Sequence, residues 1–200
     1  MRRSGILFVL SAPSGGGKTT LVTSLRQRQA LTYSVSCTTR APRPGEVHGQ
    51  HYHFLSRERF LDHVRQGEFL EQAEVHGNLY GTLKSEVLIH LERGEDVLVD
   101  VDTRGASMIR SSSDPAVRLA LVDVFVLPPS IEELERRLRG RGTEAEEQIA
   151  LRLKNAAAEM KHWPDYRYTI VSGSMEEDVE RMHAIIRAEQ CDSRRLTVNE

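Results

Sequence analysis

The chain has 200 residues, 39% of them apolar and 28% charged, which is enough to bury one core and too apolar for a disordered segment. Its 27 Lys and Arg against 29 Asp and Glu leave a net charge of −2. That balance excludes a broadly basic nucleic-acid binder and a polyacidic tail, while leaving room for a local basic site.

In chain order, residues 6–10 come first, a continuous apolar run of the kind that forms a strand buried on both faces. The run is far short of the ~18 residues of a membrane helix, and no cleavage site follows Met1-Arg2-Arg3. With two distant cysteines, Cys37 and Cys191, this predicts a cytoplasmic protein with free thiols and no membrane partner. A glycine-rich turn and a helix over 18–29 follow. Residues 97–101, 121–127 and 168–171 read as further central strands, and 103–112, 130–139, 145–162 and 174–190 as helices. Ser130 ahead of Glu132 and Glu133 is a helix-start pattern. The alternation predicts an α/β fold around a parallel central sheet.

Residues 33–82 break the alternation. They hold short extended pieces at 33–39, 52–55 and 69–76, a helix near 57–66, and the turn-rich Ala41-Pro-Arg-Pro-Gly45. They read as a small lobe, 35–84, inserted into a core made of 1–34, 85–138 and 147–190. Arg139-Gly-Arg-Gly142 interrupts two helices, a composition suited to a short lid over 139–146. Trp163-Pro164 reads as a helix terminus packed on the core, and the polar tail, 191–200, as frayed.

The strongest motif is Ala12-Pro13-Ser14-Gly15-Gly16-Gly17-Lys18-Thr19, a P-loop placed after a buried-type strand and before a helix. Glycines let backbone N–H groups converge on phosphate oxygens, and the helix N-terminus adds positive potential. Lys18 supplies a movable charge for the outer phosphates, and Thr19 a hydroxyl for Mg²⁺. Asp100 and Asp102 close a strand beside this loop, where a carboxylate can hold Mg²⁺, its waters or a substrate. His48, His51 and His53 have no Cys or acid at ligand spacing and read as loop and strand histidines.

These residues resemble guanylate kinases, enzymes that phosphorylate GMP. The likeness runs from about Gly5 to Glu189 and is carried by the P-loop, Ser36-Cys-Thr-Thr-Arg40-Ala-Pro-Arg43-Pro-Gly-Glu46, Gly49-Gln-His-Tyr52-His-Phe54, Phe69-Leu-Glu71, Gly77-Asn-Leu-Tyr80-Gly-Thr82 and Asp100-Val-Asp102. The resemblance implies a P-loop kinase core, an inserted nucleotide-monophosphate-binding lobe and a lid. It implies that Arg40, Arg43, Tyr52 and Tyr80 hold the GMP phosphate, that Ser36, Glu71 and Thr82 read guanine, and that Asp102 helps hold the nucleotide. Residues 12–19 would hold ATP, with Mg²⁺ on Thr19 and Asp100. Lys18, Arg137, Arg141 and Arg152 would act on the transferring group. The partners are then GMP and ATP, without nucleic acid, and a homodimer is left open. The chain departs from the family at Arg104, commonly Gln, and at Val171-Ser-Gly-Ser174, commonly Val-Asn-Asp-Asp, a contact to the adenine base.

The chemistry suits these residue types. Guanine presents N1–H and N2 as adjacent donors, which an ionised carboxylate accepts together and adenine cannot supply. A monophosphate carries nearly two charges, which fork-shaped guanidinium groups neutralise. The acceptor oxygen is already ionised, so catalysis needs alignment and charge neutralisation rather than a His or Cys base. Two rival readings are a P-loop kinase for a different acceptor and a catalytically silent binding module on the same fold.

Overall fold

The computed structural model describes residues 2–28, 31–75, 77–140 and 145–197. The elements, in order, are β1 (Arg2–Arg3), β2 (Leu7–Ser11), α1 (Lys18–Arg28), β3 (Thr32–Tyr33), β4 (Cys37–Thr38), β5 (His53–Phe54), α2 (Arg57–Arg65), β6 (Phe69–Val75) and β7 (Asn78–Leu83). The chain continues through α3 (Lys84–Glu92), β8 (Val97–Asp100), α4 (Thr103–Arg110), α5 (Pro115–Ala120), β9 (Leu121–Leu127) and α6 (Ile131–Arg139). It ends with α7 (Glu146–Met160), β10 (Tyr168–Val171), α8 (Met175–Gln190) and β11 (Leu196–Thr197).

Five strands form an all-parallel sheet in the order β10-β9-β2-β8-β3. β2 is buried along its length, as its apolar run requires. Its side chains alternate between two layers: Phe8 and Leu10 pack with Leu21, Leu25 and Met182, while Leu7 and Val9 pack with Val99, Ile109 and Phe125. β8 and β9 flank β2 on opposite sides, so the strand order reverses at the carboxyl end of β2. A ligand crevice in an open parallel sheet opens at such a point, and there the chain places its P-loop.

The second sheet has the order β5-β4-β7-β6, with β4–β7 and β6–β7 antiparallel. The extended run foreseen at 33–39 divides between the two sheets. Thr32–Tyr33 completes the edge of the parallel sheet, and Cys37–Thr38 joins the four-stranded one. Helix α6 begins where the sequence signals it, with Ser130 Oγ accepting from the Glu133 N–H at 3.2 Å.

Two expectations fail. The tail is not frayed throughout: Ser193–Arg195 forms a 3₁₀ turn and β11 pairs antiparallel with β1. Arg195 is buried, with Nη2 on Glu189 Oε2 at 2.8 Å and Nη1 on the Leu119 carbonyl at 3.2 Å, so partners distant in sequence hold this segment. Trp163 does start a 3₁₀ turn after α7, but it is 49% exposed rather than packed on the core. No described helix is long and apolar enough to cross a membrane. Cys37 is buried and Cys191 exposed, both as free thiols.

Candidate active site

The P-loop bridges β2 and α1. Gly15 and Gly17 adopt φ of 86° and 95°, a region that side chains rarely enter. Gly15 is also pressed by α6, since a Cβ there would lie 2.8 Å from Leu138 Cδ2. The loop lines a cleft of about 220 Å³ together with Thr20, Asp102 and Glu159. Lys18 Nζ donates to the Val101 carbonyl at 2.7 Å and pairs with Asp100 Oδ1 at 2.5 Å. Asp102 Oδ1 accepts from the Gly105 N–H at 2.7 Å, capping α4. The Ser14 N–H donates to Glu159 Oε2 at 2.9 Å.

A second cleft, of about 280 Å³, is lined by Tyr33, Ser36, Tyr52, Glu71, Tyr80, Asp100 and Asp102, and also by Lys18 and Thr19. Within it, the antiparallel register sets Glu71 opposite Thr82. Thr82 Oγ1 donates to Glu71 Oε1 at 2.8 Å, and Ser36 Oγ lies 3.4 Å from Thr82 Oγ1. The fold thus gathers Ser36, Glu71 and Thr82 from three strand regions. Burial pushes the Glu71 carboxyl up to about 7; the nearby charge of Asp102 adds to this, and the Thr82 hydrogen bonds oppose it.

Further along the four-stranded sheet, Tyr52 and Tyr80 meet edge to face at 6.0 Å between centroids. The Arg40 guanidinium sits 5.6 Å from the Tyr52 ring centroid. Glu46 organises this turn. Its Oε1 accepts from Arg40 Nη2 at 2.8 Å and its Oε2 from the Arg43 N–H at 2.7 Å. These bonds hold the Glu46 carboxyl down at about 2. The Arg43 side chain is exposed and does not line the second cleft.

Of the arginines expected to act on the transferring group, Arg137 lies beside the P-loop, its Nη1 3.7 Å from where a Gly17 Cβ would stand. Its Nε donates to Glu133 Oε1 at 2.8 Å, and its Nη1 to Ser172 Oγ at 3.1 Å. Ser172 Oγ in turn donates to Asp178 Oδ2 at 2.7 Å, so this hydroxyl is engaged as both acceptor and donor. Arg152 sits on α7, on the same face as Asn155 and Glu159 by the spacing of 3, 4 and 7 residues. It lines neither of the two clefts. Arg141 and residues 142–144 of the 139–146 lid lie outside the described residues.

Sequence reasoning passed over four residues of this region. Glu46 was visible as part of a motif, but its pairing with Arg40 was not. Tyr33 falls at the junction of the two sheets. Glu159 is one acid among several on α7, and only the fold brings it to the loop. Gly105 has tertiary neighbours, since a Cβ there would meet Glu71 Oε2 at 3.1 Å and Val101 Cβ at 3.0 Å. The histidines are tied into local backbone: His51 Nδ1 accepts from the Val47 N–H at 3.1 Å and His48 Nδ1 from the Phe54 N–H at 3.2 Å.

A model of the guanylate kinase family matches residues 4–189. The guanylate kinase of Paramagnetospirillum magneticum is 47% identical over 189 residues, covering 94% of this chain and 86% of the relative. That of Sphingopyxis alaskensis is 46% identical over 196 residues, covering 98% and 87%. The crystal structure of guanylate kinase from Anaplasma phagocytophilum superposes with a TM-score of 0.75 at 36% identity, covering 98% of this chain and 91% of that one.

Proposed function

This chain belongs to the guanylate kinase family, and from that premise we propose that it transfers the terminal phosphoryl group of ATP in line to the phosphate of GMP, making ADP and GDP. The observation that carries the reading is the meeting of the two clefts: Lys18, Thr19 and Asp102 line both. A donor in the P-loop and an acceptor against Glu71 would approach each other across these three side chains.

On the acceptor side, Glu71 accepts from N1–H and N2 of guanine, Ser36 serves O6, and Thr82 serves it by turning its proton away from Glu71 Oε1. A carboxyl raised to about 7 by burial gains two donors when guanine arrives, and those donors favour its ionised form. Tyr52, Tyr80 and Arg40 take the phosphate, and Glu46 holds Arg40 in place for it. Arg43 reaches the phosphate by moving inward from its exposed position. Asp102 orients the nucleotide from its place as the cap of α4.

On the donor side, the amides of residues 12–19 and Lys18 take the phosphates of ATP. Lys18 must exchange Asp100 and the Val101 carbonyl for phosphate oxygens. The Thr19 hydroxyl and the Asp100 carboxylate open on one cleft and are hard oxygen donors, a set that fits Mg²⁺ completed by phosphates and water. Such an ion would supply positive charge that neutralises the phosphates. Arg137 is poised over Gly17, while Arg141 and Arg152 join through the lid and α7. Among the described residues neither cleft is lined by a His or Cys, and an acceptor that is already ionised needs no strong base. The lobe 35–84 acts as a movable part beside the core, in the cytoplasm.

A coupled assay of ADP formation with GMP, AMP, dTMP and no acceptor tests the proposal. Turnover with GMP well above the others is the expected outcome. Equal use of another acceptor indicates a different kinase, and no turnover with any acceptor indicates a binding module.

A further inference from the structure

Glu159 projects from α7 into the P-loop cleft, where its Oε2 accepts the Ser14 N–H at 2.9 Å. The amides of such a loop are receptors for anions, and α1 adds its positive N-terminal end. Within a protein chain, an ionised carboxylate is the group nearest in chemistry to a phosphate oxygen: anionic and acceptor-only. Among the described residues no cation pairs with Glu159. Lys18 is spent on Asp100 and the Val101 carbonyl, and Arg137 on Glu133 and Ser172. Asp102 lines the same cleft and adds a second carboxylate. A purely structural tether on α7 would gain from a counter-charge. A carboxylate held by an amide that the ligand itself requires is instead placed for exchange.

We propose that Glu159 is an internal stand-in for donor phosphate, engaging the loop amide without nucleotide and giving way when the triphosphate binds. This rests on the reading of residues 12–19 as the donor cradle. An anion that takes the Ser14 amide must displace Glu159, so weak single anions are held off there while a triphosphate with many contacts succeeds. Release of Glu159 removes this tie between α7 and the loop, while α7 keeps its packing on α6 through Leu134, Leu138, Ile149 and Ala156.

Glu159→Gln keeps the shape and one acceptor oxygen and removes the charge. ATP, ADP and inorganic tripolyphosphate are titrated calorimetrically against the full chain without acceptor. All three should bind roughly three- to tenfold tighter to the variant, the range expected when a half-exposed charged hydrogen bond becomes neutral. GMP affinity should stay constant, and the KM for ATP should fall with little change in kcat. Unchanged or weaker binding of the three anions overturns the proposal and marks Glu159 as a tether. A second measurement needs no variant: the Glu159 carboxyl and Ser14 amide resonances of the unsubstituted chain are followed during the tripolyphosphate titration. They should move together with one Kd, and a Glu159 signal that stays fixed while Ser14 moves overturns the exchange. A chain that binds neither ATP nor tripolyphosphate refutes the donor-cradle reading itself, and the proposal with it.

Discussion

Glu71→Gln should make the ligand-free protein more stable and the enzyme worse. Glu71 is 6% exposed, its carboxyl is raised from 4.5 to about 7, and burial is the largest cause. A raised carboxyl means that the folded chain holds its proton more tightly than the unfolded one. Between pH 4.5 and about 7 the folded state therefore binds more protons, and stability falls as pH rises through that window. Above it the full cost of the buried charge remains, about 3 kcal/mol at the conversion of ~1.4 kcal/mol per pH unit. Glutamine keeps the contact with Thr82 and has no charge to bury. Thermal unfolding should place the variant above wild type at pH 8, by several degrees for about 1–3 kcal/mol recovered, and close to it at pH 5. GMP turnover should fall by roughly one to three powers of ten, from a lost charged hydrogen bond and a mismatched amide donor. The AMP-to-GMP activity ratio should rise, since the glutamine NH₂ can donate to adenine N1. Parallel stability–pH curves for wild type and variant would refute the account of the buried charge. An unchanged AMP-to-GMP ratio would refute the placement of guanine.

Lys18→Ala should abolish turnover and leave GMP binding largely intact in a binding titration, because the amine serves the donor; near-normal turnover in a folded variant sinks the P-loop assignment. Ser172 has its one proton on Asp178 and accepts from Arg137, which leaves the donor base no hydroxyl donor and a single lone pair, so GTP should compete appreciably with ATP as donor at saturating GMP. Strict rejection of GTP counts against that. Gly105→Ala forces a methyl against Glu71 Oε2 at 3.1 Å and Val101 Cβ at 3.0 Å. It should cost about 1–3 kcal/mol of stability and raise the KM for GMP more than that for ATP; unaltered values of both kinds would show the contact to be slack.

The parallel sheet was legible because strands buried on both faces must be written as apolar runs, as at 6–10, 97–101 and 121–127, while 168–171 is an edge strand with only Ile170 buried. The helices after β9 and β10 carried start signals at Ser130 and Ser174. Helix α3 was missed because Leu83, the residue before its start at Lys84, gives no side-chain cap and closes a strand. Helix α5 was passed over although Asp114-Pro115 is a helix-start signal, since its six residues run straight into β9. The clustering of Ser36, Glu71 and Thr82 could not be read from propensity, because it depends on a pairing register between strands. Glu159 lay further out of reach. Only the docking of α7 on the loop, 145 residues away in sequence, gives that acid a role.

The two connections between the sheets set the mechanics of the small lobe. On one side only residues 34–36 separate β3 from β4, and on the other β7 ends at Leu83 where α3 begins at Lys84. Rotation of the four-stranded sheet against the parallel one must pivot about these two crossings. Ser36 and Thr82 stand at the pivots and scarcely travel, whereas the Arg40–Glu46 turn and Tyr52 lie away from them and sweep through the widest arc. On the proposed reading of Ser36 and Thr82 as base readers and of Arg40 and Tyr52 as phosphate holders, the side chains that read the base thus move less than those that hold the phosphate.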